Sequence, residues 1–316
     1  MEQHPARAFA VVMRTYQWDG FIQRQMRRYQ QASIGGDFFV SADETNARLG
    51  DFDGERVLAT TNEQLLALGL PNRFEKGSLI WWNNDYPTYA FSQAYPHYDY
   101  YVFVEYDSVV RAPIASIVAE IAGRGLDFVA APIEGELKDW FWWPYARQSY
   151  SATELRASLN CISIYSNRAM RLLFDRRLEM GRDPRVKSWP ISEAFVATEI
   201  ARAGMAFASL AEFGDVTHYD WFPPVLEGQL DEMAGRVFIH PVLDTPRYVS
   251  SVLRYGDSWL DYFNPRSTLR QRLDKCPPET YASRLRAESW RRFKALQQER
   301  WERRVLKANL ILRRAK

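Results

Sequence analysis

Cysteine and histidine are scarce in this 316-residue chain, with two and four copies respectively. Cys161 and Cys276 form no CxxC pair and stand in no Cys/His spacing, so nothing in the pattern suggests a zinc framework. Two reduced thiols are a better expectation than a disulfide. The four histidines, His4, His97, His218 and His240, make no HExxH motif and are too few for a histidine-rich metal centre. Glycine-rich phosphate devices are missing too. The lack of GxxxxGK[ST] argues against a P-loop NTPase, the lack of GxGxxG after the first strand argues against a dinucleotide enzyme, and no GxSxG elbow occurs. Long apolar runs are absent. The run over residues 8–13 stops at Arg14, and none approaches the ~20 residues of a membrane span. The amino terminus lacks a signal-peptide pattern. The expectation is a soluble, cytoplasmic protein.

What is present is a chain that can bury a sizeable core. Hydrophobic residues make up 47% and charged residues 25%, as in an ordinary globular protein of one large domain with an appendage. Aromatic content is high at 15%, with eleven Trp, which suits either a Trp-rich core or a site for flat or sugar-like ligands. Net charge is only +2, but residues 276–316 carry twelve Lys/Arg against four Asp/Glu, so the body that precedes them is acidic.

Periodicity gives the order of elements. "AFAVVMRTY" and "DFFVSADET" read as strands, with the helical spacing of "FIQRQMRRYQQAS" between them. "RVLATTNEQLLALG" reads as strand then helix, "YPTYAFSQAYP" and "PIASIVAEIAGRG" as helices, and "LDFVAAPI" as a strand. "LNCISIYSNRAMRLLFDRR" is strand then helix, with Ser166–Asn167 as an N-cap region. "SEAFVATEIARAG" is a helix, and "FASLAEFG" and "RVFIHPV" are short late strands. This alternation predicts an α/β fold with a mostly parallel sheet covered by helices on both faces. Domain limits are expected at 1–250 for the sheet domain and 251–316 for a helical extension, with "DKCPP" preceding the tail helix.

Ligands of such sheets bind beyond the carboxyl ends of the strands, which makes Thr15, Tyr16, Asp43, Glu105 and Asp107 the candidate site residues. The stretch "YYVFVEYDSVVRAP" is the most informative. An apolar approach delivers Glu105 and Asp107, two residues apart, to a strand end. Oxygen ligands of this kind suit a hard cation, Mg²⁺ or Mn²⁺, held together with substrate phosphates. Acids so close together on one turn are poorly placed to flank a glycosidic bond from both sides at ~5–9 Å, which disfavours glycoside hydrolysis.

In order and spacing, these segments resemble nucleotide-sugar-dependent glycosyltransferases of the GT-A fold over roughly residues 8 to 245. The strand "FAVVMRTYQWDG" resembles the family's nucleotide-binding strand and "FVEYD" its D-x-D motif. "SEAFVATEIARAGMAFASL" resembles its x-E-D helix, with Gly204 as the turn glycine. The resemblance implies a divalent ion, Mn²⁺ or Mg²⁺, on Asp107 with Glu105 near it, and a late histidine as a further ligand. His240 at the end of "RVFI" is preferred, and His218 in "VTHYDW" is the other choice. It implies Glu193 as the catalytic base of an inverting transfer, and Thr15, Tyr16 and Asp43 around the nucleotide of a donor expected to be a UDP-sugar. Two positions depart from the family pattern: Glu105 stands where the first Asp is usual, and Ser192 stands before Glu193 in place of the acid.

The Trp-dense segment "DWFWWPYARQSY" falls where the family shapes its acceptor site, and a hydrophobic lid or dimer contact explains it equally well. The tail "SRLRAESWRRFKALQQERWERRVLKANLILRR" places Trp290, Trp301, Val305, Ala308 and Leu312 near one face of a basic helix. That composition suits an anionic membrane surface and a peripheral protein with a lipid-linked acceptor, or a helix packed on its own domain. Nucleic acid is not an expected partner, because the body is acidic. The expected function is metal-dependent sugar transfer to a glycan or lipid-linked acceptor in bacterial surface polysaccharide assembly. The alternatives are a nucleotidyltransferase-like enzyme and a non-catalytic carbohydrate-binding protein of the same fold.

Overall fold

The computed structural model describes residues 8–50, 52, 56–256 and 258–314, with side chains described as far as Val305. Twelve strands occur among them: β1 Phe9–Thr15, β2 Asp37–Asp43, β3 Val57–Thr60, β4 Tyr100–Glu105, β5 Val109–Val110, β6 Phe128–Pro132, β7 Ser158–Ser166, β8 Phe207–Ser209, β9 His218–Tyr219, β10 Val225–Leu226, β11 Phe238–His240 and β12 Val242–Leu243. The α-helices are α1 Gly20–Ala32, α2 Asn62–Ala67, α3 Leu79–Trp82, α4 Tyr86–Ala94, α5 Ile114–Gly123, α6 Trp143–Ala146, α7 Asn167–Arg182, α8 Ser192–Arg202, α9 Thr245–Arg254, α10 Thr268–Leu273 and α11 Pro278–Arg314. No helix among the described residues is long and apolar enough to cross a membrane.

Seven strands form the main sheet in the order β3-β2-β1-β4-β7-β6-β8. Only β7 runs against the others, antiparallel to both β4 and β6. The central strands are dry on both faces. Along β1, Ala10 and Val12 join one core while Phe9, Val11 and Met13 join the other; along β4, Tyr101 and Phe103 part from Tyr100, Val102 and Val104 in the same way. The period of two thus sends alternate residues to opposite helix layers. Helices α4, α7 and α8 cover the first face, and α1 and α5 cover the second.

Helix ends follow local sequence. Asp19 caps α1 by accepting from the Phe21 and Ile22 amides, and the Ser166 hydroxyl caps α7 by accepting from Ala169 N. Helix α8 stops at Gly204, whose φ of +63° favours glycine. There Gly204 N donates to Ala201 O and Met205 N to Ile200 O, the double closure of a Schellman end.

The chain divides into two compact units: Met1–Trp221 with Gly235–Pro241, and Phe222–Ala234 with Val242–Lys316. The sequence expectation drew the line at residue 250. The division instead lies earlier and is interleaved, because β11 pairs with β5 and β9 whereas β12 pairs with β10. The second unit has its own core of α9, α10 and the first turns of α11, where Tyr248, Val249, Leu269, Tyr281 and Leu285 are buried. The stop at "DKCPP" holds: α11 begins at Pro278, a position where the missing N–H costs nothing. Cys161 and Cys276 are both free and buried.

One buried ion pair organises the approach to α8. Arg177 on α7 is fully buried and grips Asp85 through Nε (2.7 Å) and Nη2 (3.2 Å), while Nη1 donates to Pro190 O at 3.2 Å. Its guanidinium lies 3.7 Å from the Phe195 ring centroid and 5.1 Å from that of Trp189. Asp85 precedes α4, and Trp189–Pro190 leads into α8, so one cation ties three segments together. We expect Asp85→Ala to cost about 3–5 kcal/mol, because it strands a buried charge, and Asp85→Ala with Arg177→Met to recover much of that loss. Urea unfolding followed by Trp fluorescence measures both, and a double variant as unstable as the two single losses added together would refute the clamp.

Candidate functional site

The turn after β4 is built to a fixed shape. Glu105 O accepts from Ser108 N (3.0 Å) and from the Ser108 hydroxyl (2.7 Å), and that hydroxyl also pairs with Tyr29 OH at 2.6 Å. The chain then enters β5, which pairs antiparallel with β11, Val109 facing Ile239. That register carries the next residue of β11, His240, to the turn holding Glu105 and Asp107. His240 Nδ1 donates to Asp220 O at 2.7 Å, since only a protonated ring nitrogen can pair with a carbonyl. Its Nε2 is therefore the ring nitrogen turned to the acids, 3.8 Å from Glu105 Oε2 and 3.7 Å from Asp107 Oδ1.

Those separations are too long for hydrogen bonds, and they exceed by about 1 Å or less the ~2.8–3.1 Å edges of an octahedral shell with metal–ligand bonds of about 2.0–2.2 Å. Asp107 Oδ1 is buried and has no hydrogen-bond partner. Burial pushes the Asp107 carboxyl up to about 6; His240 opposes the rise and the Glu105 charge adds to it. Two carboxylates thus flank His240 Nε2, and one of their oxygens, Asp107 Oδ1, is buried and unpartnered, a donor combination suited to a divalent cation.

Three further groups surround this point. Arg14 on β1 stands in register with Glu105 on β4, with Nη2 3.4 Å from Glu105 Oε1. The same guanidinium donates to Asn160 O at 2.7 Å and Asn84 O at 2.8 Å. Cys161 on β7 brings its Sγ within 4.8 Å of a Glu105 oxygen and a His240 nitrogen. Glu193 lies half-buried in the first turn of α8, and burial, with the Glu105 charge second, pushes its carboxyl up to about 8.

Among the sequence candidates, Glu105, Asp107 and His240 come together, and Glu193 is within electrostatic reach of them. The sequence left His218 open beside His240, and the strand register separates the two. On the parallel pair β9–β11, His218 matches Ile239 and Tyr219 matches His240, whose ring centroids are 5.8 Å apart. Alternation thus turns His218 to the opposite face from His240. Thr15 is buried with its hydroxyl committed to a turn, donating to Gln17 O and accepting from Gln17 N. Asp43 likewise accepts from the Thr45 amide and hydroxyl, at 3.0 and 2.6 Å. Tyr16 is exposed. It accepts from Tyr106 OH at 3.1 Å, in an edge-to-face pair with centroids 5.5 Å apart.

Arg14, Cys161 and Tyr106 are the neighbours that sequence reasoning missed. Arg14 carried a signal, as a charge closing an apolar strand just before the strand-end candidates. Cys161 carried none, since its nearness to Glu105 comes from the pairing of β7 with β4.

The Trp-dense segment forms an aromatic group with α3. Trp142 lies 5.2 Å from Trp81 and 5.6 Å from Trp82, with Lys76 Nζ 5.3 Å from the Phe141 centroid. Trp81 and Phe141 are exposed.

Both raised carboxyls have the same sign of effect on stability. An acid whose folded-state pKa exceeds its unfolded value holds a proton in the folded chain only, so stability falls as pH rises through that window. For Glu193 the window runs from about 4.5 to about 8. In chelator-treated protein, Glu193→Gln is expected to melt above the wild type at pH 8.5, with the gap closing by pH 5. A gap that is constant with pH in thermal melts would contradict the assignment.

No protein-family model matches the chain, and no curated protein matches it by sequence. Solved structures do. Mouse xyloside xylosyltransferase 1, in its apo form, is similar at TM-score 0.44 and 10% identity, covering 74% of this chain and 97% of that one. A glycosyltransferase involved in glycosylating the major capsid of PBCV-1 is similar at TM-score 0.39 and 8% identity, covering 74% and 94%. The WbbM bifunctional glycosyltransferase is similar at TM-score 0.43 and 11% identity, covering 85% of this chain and 51% of that one. TM-scores under 0.5 decide nothing about the chemistry, which has to come from the side chains.

Proposed function

We propose that the chain is a divalent-cation-dependent glycosyltransferase acting on a nucleotide-sugar donor, with a UDP-sugar the first candidate and Mn²⁺ or Mg²⁺ as the ion. The observation that carries this reading is the approach of Asp107 Oδ1 and Glu105 Oε2 to His240 Nε2, at 3.7 and 3.8 Å, beyond the carboxyl end of β4, with Asp107 Oδ1 buried and unpartnered. These three residues would hold the ion, which when bound would supply positive charge to a diphosphate leaving group. His240 is kept in the right tautomer by Asp220 O. Arg14 counters the Glu105 charge and fixes that side chain against β1.

Glu193 is the group that takes the proton from an acceptor hydroxyl, which implies inversion at the anomeric carbon. A carboxyl held near 8 is basic enough to accept that proton once ionised, and a cation at Asp107 favours the ionised form. The exposed Tyr16 ring is the element suited to stack on a nucleobase, and Asp43 lies on the neighbouring strand β2 for the ribose. The exposed faces of Trp81 and Phe141 suit the sugar rings of a glycan or lipid-linked acceptor. Bacterial surface polysaccharide assembly remains the context we propose.

A thermal-shift screen of nucleoside diphosphates and nucleotide sugars, with and without Mn²⁺, tests the reading. One nucleotide is expected to raise the melting temperature only with the ion present. Asp107→Asn should abolish that shift, and Glu193→Gln should keep it while reducing transfer at least 100-fold. No shift with any nucleotide would favour a non-catalytic carbohydrate-binding protein, and turnover that releases pyrophosphate from a nucleoside triphosphate would favour a nucleotidyltransferase.

We also propose that the outer part of α11 meets an anionic membrane surface. Trp301 and Val305 are exposed among arginines there, whereas Tyr281, Leu285 and Ser289 nearer its start are buried. The side chains of Ala308 and Leu312 lie outside the described residues. Flotation with phosphatidylserine vesicles at low salt is expected to carry the full chain, and removal of residues 300–316 to abolish it. Absence of binding by the full chain would remove the membrane reading.

A further inference from the structure

The donor set around His240 is mixed in a way that oxygen-binding cations do not need. Glu105, Cys161 and His240 each offer one ligand atom, and the three lie within 4.8 Å of one another. Asp107 Oδ1, by contrast, approaches the same Nε2 at 3.7 Å and belongs to an oxygen-rich alternative. Cys161 is buried and free of any disulfide. Mg²⁺ and Mn²⁺ prefer carboxylates and waters, whereas a thiolate beside an imidazole and a carboxylate is a donor combination for Zn²⁺ and softer ions. Three protein donors leave the fourth position of a tetrahedron open.

We propose that Glu105, Cys161 and His240 form a site for a thiophilic divalent ion, Zn²⁺ or Cd²⁺, that excludes the hard cation because both use Glu105 and His240. The site rests on the same reading of Glu105 and His240 as cation ligands that underlies the proposed transferase. Zn²⁺ is then an inhibitor of the metal-dependent reaction. Binding is a proton exchange: the Cys161 S–H bond breaks as the S–metal bond forms, and the proton leaves to solvent, one per ion bound. Burial holds the thiol in its neutral form until an ion arrives, so Cys161 is a ligand in waiting and not a free nucleophile.

Co²⁺ titration of the chelator-stripped full-length protein tests this, because a cobalt–thiolate bond has a charge-transfer absorption in the near ultraviolet that oxygen and nitrogen ligands lack. One equivalent of Co²⁺ is expected to raise that band and one equivalent of Zn²⁺ to discharge it. The band should vanish in both Cys161→Ser and Cys161→Ala, and persist in Cys276→Ser and Asp107→Asn. Zn²⁺ affinity, measured by competition with a chelating dye, should fall at least about tenfold in Cys161→Ser, the lower bound for losing even an outer partner of a metal ligand. Co²⁺ binding without the band, a band that survives both Cys161 variants, or no Co²⁺ binding would each overturn the proposal. The two readings fail separately: a band with no Mn²⁺-dependent nucleotide shift leaves the thiol site and removes the transferase, and a shift with no band does the reverse.

Discussion

Strand β4 is dry on both faces as far as Val104, and the charges it carries beyond that residue must find partners within a small volume. This constraint shapes the region. The Glu105 charge repels both Asp107 and Glu193, and burial raises the carboxyls of Asp107 and Glu193. Arg14 answers part of that charge from β1, and His240 directs Nε2 toward the acids while Nδ1 is tied to Asp220 O. A cluster that gathers acceptors and leaves one of them buried and unpartnered is costly as a purely structural feature. On the proposed reading, a cation would offset that cost.

Rigidity comes from devices outside the cluster. The turn holding the acids is pinned by Ser108 and Tyr29, and the histidine is delivered by the small sheet β5-β11-β9. The approach to Glu193 is set by Arg177, whose charge is matched by Asp85 and whose planar face is covered by Phe195 and Trp189. These contacts join segments about ninety residues apart, so the acids meet at a fixed geometry although they come from different elements. The closeness of both Asp107 and Cys161 to His240 follows from the same crowding: β7 enters the sheet antiparallel beside β4 and brings its thiol along.

Much of the architecture was legible in the sequence because it rests on local periodicity. Strand β1, helix α1, strand β2, helix α5 and helix α8 all carry apolar spacing that fixes their type, and Gly204 and Pro278 mark ends by their backbone limits. The antiparallel course of β7 was not legible, since a buried strand reads the same in either direction. Short elements such as α3, β5 and β9 lack the length for any period to show. The interleaved units were hidden for a related reason: the split between residues 222–234 and 235–241 follows which strands pair, β10 with β12 and β11 with β5 and β9.

The acid pair on Glu105 and Asp107 was visible in the chain itself, because an apolar strand that ends in carboxylates must deliver them to the end of that strand, where the core gives way. The sequence by itself therefore determined the class of fold and the place where charge would gather. Which histidine joins the acids was decided by register alone. A parallel pairing matches Tyr219 to His240 and turns His218 away, and no local pattern distinguishes those two outcomes. The same holds for Arg14 and Cys161, whose roles depend on which strands lie beside β4. Local spacing sets what each segment becomes, and only the packing of segments distant in the chain sets which charges and lone pairs share one volume.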